Sequence, residues 1–141
     1  MKLSYLFIAS TFLFLGCKKD AVITPYSASI SDGTIIEGNS GEAKVIEFEI
    51  SLDAVVFGST PVTVQVKTEG GTAVNNEDFI PLLSWDQIPF NAGEKTKKIQ
   101  IQIVEDNTKE SNEEFTILLD DVSTNVKIVD GTGKGTILND D

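Results

Sequence analysis

Histidine and arginine are absent from this chain of 141 residues, and cysteine, methionine and tryptophan occur once each. Without histidine and with a single cysteine, neither a Ser-His-Asp nor a Cys-His triad can be assembled. An ordinary zinc site, which takes several cysteine or histidine ligands, falls on the same ground. Bases are scarce, since 11 lysines stand against 22 acids for a net charge of -11. Nucleic-acid binding wants a basic face, so the balance argues against it and points to cations, or simply to solubility. Long apolar runs are lacking too. The uncharged stretch 3–16 is about 14 residues, short of the ~20 that span a bilayer as a helix. No window of useful length repeats apolar residues at helical spacing. The length suits one domain, or one domain plus a tail.

The apolar stretch has the length of a secretory signal's hydrophobic region. Lys2 gives it a basic start, Gly16 a small end, and the chain's only cysteine follows at once. Phe14-Leu15-Gly16-Cys17 resembles the lipobox of bacterial lipoproteins, although Phe14 and Leu15 depart from its commonest form, a leucine followed by a small residue. The resemblance implies that residues 1–16 are a signal peptide and that Cys17 is lipidated on its thiol. The product is then a membrane-anchored lipoprotein of the bacterial cell envelope, at the outer membrane or cell surface. The alternative is an ordinary exported protein with a free thiol. Residues 17–28 lack periodicity and read as the lipidated cysteine and a flexible tether. The folded domain is then 29–141.

From Ile30 onward the pattern is strands. Ile46, Phe48, Ile50 and Leu52 alternate with polar residues, as do Val62, Val64 and Val66, then Ile99, Ile101 and Ile103, then Phe115, Ile117 and Leu119. A period of two with one apolar face is a half-buried strand. Glycine and Asn/Asp clusters separate the runs, among them Gly38-Asn39-Ser40-Gly41, Gly70-Gly71 and Asp130-Gly131-Thr132-Gly133. Seven strands follow, at about 27–37 (broken near Asp32-Gly33), 43–53, 61–69, 86–90, 95–104, 114–120 and 134–139. Pro89 marks the fourth as an edge or a bulge. Seven short antiparallel strands in such a length predict an all-β, immunoglobulin-like sandwich.

In an antiparallel succession alternate strands run the same way, so the first, third, fifth and seventh end at one pole. The loops there hold Glu37 and Glu42, then Glu69, Glu77 and Asp78, then Glu105, Asp106, Glu110, Glu113 and Glu114, and finally Asn139-Asp140-Asp141. Only Lys109 offsets the 105–114 group. Two unit charges 4 Å apart repel by ~1 kcal/mol even in water. A hard cation reverses the sign, and calcium takes 6–8 oxygen ligands from carboxylates, carbonyls and water, as a rule. Magnesium asks for stricter geometry, and metals that prefer thiolate or imidazole find no ligands here. Acidic loops are nonetheless most often a solvated surface.

Spacing sharpens the choice. Glu37-Gly38 follows the first strand, and T-E-G-G-T-A-V-N-N-E-D-F occupies 68–79. F-N-A-G-E occupies 90–94, I-V-E-D-N-T-K-E-S-N-E-E-F occupies 103–115, and G-T-I-L-N-D-D closes the chain at 135–141. Together these resemble the Calx-beta domain, a module of sodium–calcium exchangers and integrin β4 that recurs in bacterial and extracellular adhesion proteins. The resemblance implies a β-sandwich with calcium as cofactor at the loop pole. By position it implies Glu37, Asp78, Glu105, Asp106, Glu110, Glu113, Asp140 and Asp141 as metal ligands, with the Thr108 carbonyl as a further candidate. Glu105 stands where the family has aspartate, and Asn107 and Asn139 replace aspartates, which lowers the charge of the site and with it the affinity for calcium.

The leading expectation is therefore a surface-anchored, non-catalytic calcium-binding sandwich. Its role is adhesive, structural or interactive, toward an unknown protein or polysaccharide partner and not toward nucleic acid. A second reading, motivated by Asn107 and Asn139, is an interaction module of the same fold that has lost its metal. A third is an enzyme using paired carboxylates, but short strands and loops leave little room for a cleft. Thr68, Gly70, Gly71, Thr72 and Ala73 are read as a tight turn. Phe79, Phe90 and Phe115 are read as core, and Trp85 as a cap on it in preference to an exposed aromatic for a partner or sugar.

Overall fold

The computed structural model describes residues 25–38 and 43–141. The signal peptide, Cys17 and residues 17–24 of the tether lie outside the described residues. Nine strands form two sheets. They are β1 (Tyr26–Ile30), β2 (Gly33–Ile36), β3 (Val45–Leu52), β4 (Val62–Gly70), β5 (Asp86–Phe90), β6 (Thr96–Gln102), β7 (Glu113–Asp121), β8 (Val126–Asp130) and β9 (Thr132–Leu138). One sheet has the order β6-β3-β1-β8, the other β2-β9-β7-β4-β5. No helix occurs among the described residues.

The alternation in the sequence is the reason for this architecture. Inward residues of β3 (Ile46, Phe48, Ile50, Leu52), β4 (Val62, Val64, Val66) and β7 (Phe115, Ile117) are at most 2% exposed. Their neighbours in the chain face water. Stacking the two apolar faces removes both from solvent at ~25 cal/mol per Å² of apolar area. Phe79, Phe90 and Phe115 are all buried. Phe115 lies between two other rings, stacked on Phe79 with centroids 4.3 Å apart and edge-on to Phe48 at 5.9 Å. Gly135, on β9, makes room for it, because a Cβ there would meet Phe115 Cε1 at 2.5 Å. β5 is an edge, paired with β4 alone, and Pro89 sits in it opposite Thr63.

Three expectations are corrected. The first predicted strand is two strands in different sheets. β1 pairs β3, and after a crossing at Ser31-Asp32 β2 pairs β9. Asp32 fixes the crossing, its Oδ1 accepting the Lys134 N–H at 2.8 Å. β1 also begins at Tyr26, inside the stretch assigned to the tether, because Ala28 is buried and the strand ladders with β8 from Tyr26 onward. Finally, β8 was not foreseen, and the succession is not wholly antiparallel, since β1–β8 and β2–β9 are parallel. In V-K-I-V-D apolar residues occupy both faces, with Val129 61% exposed, so the period of two is blurred. The parity argument survives. β2, β4 and β9 run the same way in their sheet, and their C-terminal ends share a pole with the start of β7.

The 68–79 motif docks the long β4–β5 connection. Thr68 accepts the Leu82 N–H on its Oγ1 at 2.9 Å and donates its own N–H to the Leu82 carbonyl at 3.1 Å. Ala73 N–H bonds the Glu114 carbonyl at 3.0 Å, and Thr72 Oγ1 accepts the Glu114 N–H at 2.8 Å. Gly71 lies so close to β7 that a Cβ would sit 2.4 Å from the Glu114 carbonyl oxygen. Trp85 is 39% exposed, and Lys67 Nζ stands 5.0 Å from the centre of its ring, a cation–π contact at the surface. Backbone cannot give way as a side-chain end does, so Gly71→Ala is expected to cost about 1–3 kcal/mol. Urea unfolding measures it, and an unchanged midpoint would mean that the turn does not rest on β7.

Candidate metal centre

The site is built where β7 begins and the 71–79 turn rests on it. Asn76 takes a left-handed backbone (φ 66°), which asparagine tolerates better than most residues. The turn then closes with Asp78 N–H on the Val74 carbonyl at 3.0 Å and Asp78 Oδ2 accepting the Val74 N–H at 2.5 Å. Residues 78–80 continue as strand-like backbone against β6 and its extension. Val104 N–H bonds the Asp78 carbonyl, and Ile80 N–H the Gln102 carbonyl, both at 2.9 Å. Asp78 is therefore fixed on both sides and is 8% exposed.

Opposite it stands Glu113, the first residue of β7, and beside both Glu110. Carboxylate oxygens of Asp78, Glu110 and Glu113 all lie within 4.8 Å of one another. Crowding shows in their acidities. Glu113 is pushed up to about 7, first by burial, then by a hydrogen bond to Asp78, then by the charges of Asp78, Glu110 and Glu37. When Glu113 carries its proton, it donates it to the Asp78 carboxylate. Glu110 is exposed but also raised, by desolvation first and then by Asp78, Asp106 and Glu77.

Glu37 forms the floor. Only 5% exposed, it prolongs the β2–β9 ladder, its N–H bonding the Leu138 carbonyl at 2.9 Å. Burial raises its pKa, a hydrogen bond with the Asn139 side chain opposes that, and the charge of Asp106 raises it again. Asp106 turns its Oδ1 to the Thr108 N–H at 2.6 Å, and Asp140 accepts the Gly38 N–H on Oδ1 at 2.8 Å. Glu105 is partly buried, with Oε1 turned inside. Asp141 is exposed.

Of the eight candidates, the geometry gathers Asp78, Glu110 and Glu113, with Glu37 and Asp106 close enough to act on them electrostatically. Asp140 is engaged by the backbone of Gly38, and Glu105 and Asp141 do not join the three-carboxylate group. Glu42 lies outside the described residues. Sequence reasoning missed the brace. Asn139 Oδ1 accepts the Glu110 N–H at 3.3 Å, and its Nδ2 donates to the Thr108 carbonyl at 3.3 Å. Its own N–H goes to Asn112 Oδ1 at 3.2 Å. Position 139 had been weighed only by the charge it lacks. Glu69, also counted among the acids of this pole, is paired with Lys67 at 2.8 Å.

The donor set is all oxygen, with anionic groups on three separate segments converging. Such a set suits a hard divalent cation and offers nothing to a soft one. Comparison with known proteins agrees with the architecture. The Calx-beta domain profile matches residues 29–141. A crystal structure of the apo-form Calx CBD1 domain aligns at 26% identity and a TM-score of 0.66, covering 82% of this chain and 98% of that one. The calcium binding domain CBD12 of CALX1.1 aligns at 28% identity and a TM-score of 0.66, covering 81% of this chain. This chain spans only 44% of that longer structure. A Calx CBD2 structure, at 14% identity and a TM-score of 0.58, shares the fold. A search of curated proteins gives no match.

A raised pKa has a sign. Below about 4.5 Glu113 is protonated folded or unfolded; between there and about 7 only the folded chain keeps the proton, so its contribution to stability is lost as pH rises through 7. In chelator, Glu113→Gln is expected to melt higher than the parent above pH 7, with the advantage gone below about pH 4.5. Melting curves across that range check it, and a pH-independent difference would remove the shared proton.

Proposed function

The chain belongs to the Calx-beta domain family, and on that footing we propose that it is a non-catalytic calcium-binding module. In this reading it is anchored through a lipid on Cys17 to the outside of a bacterial cell envelope. Its role is adhesive or structural, toward a protein or polysaccharide partner. The observation that carries the metal is the packing of Asp78, Glu110 and Glu113 within 4.8 Å of one another, with the Glu113 pKa raised to about 7. A divalent ion would replace the Glu113 proton and offset most of the charge of the three carboxylates, with Glu37 and Asp106 adding oxygen from below. Calcium accepts such an irregular ligand set more readily than magnesium does. That the related CALX1.1 structure is a calcium binding domain supports the choice of ion.

The family supports the non-catalytic part, and so does local geometry. A raised Glu beside a second carboxylate is the pairing that acid–base chemistry uses. Here Glu113 and Asp78 are hydrogen-bonded to each other. That leaves no gap for a scissile bond, for which retaining glycosidases keep their carboxyls about 5 Å or more apart.

A metal-free interaction module is favoured by one observation. Asn139, in place of an acid, already ties Glu110 to Thr108 without an ion. Calorimetric titration of the purified protein separates the readings. Saturable heat and a higher melting temperature in millimolar calcium are expected. Asp78→Asn or Glu113→Gln is expected to weaken binding on the order of 10- to 100-fold, the equivalent of about 1.5–3 kcal/mol for one charged contact. No heat and no thermal shift would leave the metal-free module.

A further inference from the structure

The other end of the sandwich carries a groove that the carboxylate pole does not explain. It encloses about 440 Å³, within the roughly 300–1,000 Å³ usual for small-ligand clefts. Its walls are the loops 53–60 and 122–125 on either side of the start of β1, and no lining residue is charged. Tyr26, Phe57, Ser59, Thr60, Thr124 and Asn125 give it two aromatic rings, hydroxyls and an amide.

Both walls are built in advance. In the first, Val56 is buried and bonds the Glu94 carbonyl through its N–H at 2.8 Å, while its own carbonyl accepts the Gly93 N–H at 2.9 Å. The next residue, Phe57, gives its N–H to the Tyr26 hydroxyl at 2.9 Å, yet its side chain is 93% exposed. A fixed backbone thus holds an aromatic ring out in water, at a place where burying it against a ligand would be favourable. In the second wall, Ser123 Oγ accepts the Thr63 N–H at 2.9 Å and donates to the Thr63 carbonyl at 3.1 Å. The Asn125 carbonyl accepts the Tyr26 N–H at 2.9 Å. The Asn125 side-chain oxygen, by contrast, is buried at the groove wall and accepts no hydrogen bond among the described residues. Left unpaired, it favours a turn of the side chain toward the groove, where a ligand hydroxyl can pair it.

We infer that this groove binds a neutral carbohydrate, with a sugar ring laid on Phe57 and its hydroxyls bonded by Ser59, Thr60, Thr124 and the Asn125 amide. Rigid aromatic area beside small adaptable hydrogen-bonding residues is the composition that recognition loops use. An uncharged lining provides no counter-charge for phosphate or carboxylate, and a chain of net charge -11 repels both. Val55 and Val122 are exposed nearby and widen the apolar rim. Asp53, Asp120 and Asp121 stand at the same end and turn that rim away from anionic lipid. The site is independent of the calcium reading, since none of its residues belongs to the carboxylate pole.

The test is an amide-resonance NMR titration of the purified protein with cellopentaose, maltopentaose, xylopentaose and mannopentaose at millimolar concentration, with and without chelator. Saturable shifts confined to residues 57–60 and 123–125 are expected with at least one of them, unchanged by chelator. Phe57→Ala, at a fully exposed side chain, is expected to weaken that binding at least tenfold, and Asn125→Ala to weaken it as well. No shift at those amides with any of the four sugars overturns the proposal, as do shifts that persist in Phe57→Ala. So does Phe57-dependent sedimentation with phosphatidylcholine–phosphatidylglycerol vesicles in place of sugar binding.

Discussion

Repulsion between carboxylates at one end of the sandwich is the constraint on which the rest depends. Like charges this close oppose each other, and carboxylate oxygens of Asp78, Glu110 and Glu113 lie within 4.8 Å of one another. The protein answers in part through Glu113, whose pKa, raised to about 7, lets it hold a proton part of the time at neutral pH. It answers in part by hydrogen bonds, from Val74 to Asp78 and from the Asn139 side chain to Glu37. Neither removes the charge of Asp106 or the crowding at Glu110.

What holds the acids together is the core beneath them. Asp78 is followed by Phe79, and Glu113 is followed two residues later by Phe115. These rings stack at 4.3 Å. Gly71 brings the turn against the Glu114 backbone, and Gly135 opens the space that the Phe115 ring fills. Burial of apolar rings therefore sets the distance between charges that would otherwise separate. The same coupling runs in reverse. An ion that offset these charges would relieve the repulsion between the turn and the start of β7, so stability and occupancy of the site would rise together.

Much of this was legible in the residues. Strict alternation in β3, β4 and β7 gave the sandwich, and Pro89 marked its edge strand. Parity of strand direction put the acids at one pole before any contact was known. Legibility failed where a property is not periodic. β8 has apolar residues on both faces, and the switch of β1 into β2 rests on contacts distant in the chain, Asp32 receiving the Lys134 N–H 102 residues away and Ser31 exchanging hydrogen bonds with the Glu49 backbone. The candidate ligands could be named, but not which of them converge, because the 103–112 connection has no repeat to fix its path. Asn139 shows why. By composition it is an aspartate lost; in space it is a side chain that joins three segments. The groove at the far pole was silent in the sequence, since serine, threonine and glycine between strands read as nothing more than loop.

The central claim is that a shared proton occupies the place that a divalent cation takes. Metal binding at carboxylates is proton release when those groups are partly protonated beforehand. The direct measurement is a pH-stat titration of calcium into the unbuffered protein at pH 7, repeated at pH 9. With Glu113 near its midpoint, about half a proton per chain is expected to appear at pH 7 and almost none at pH 9. Calcium bound at pH 7 with no proton set free would contradict the account.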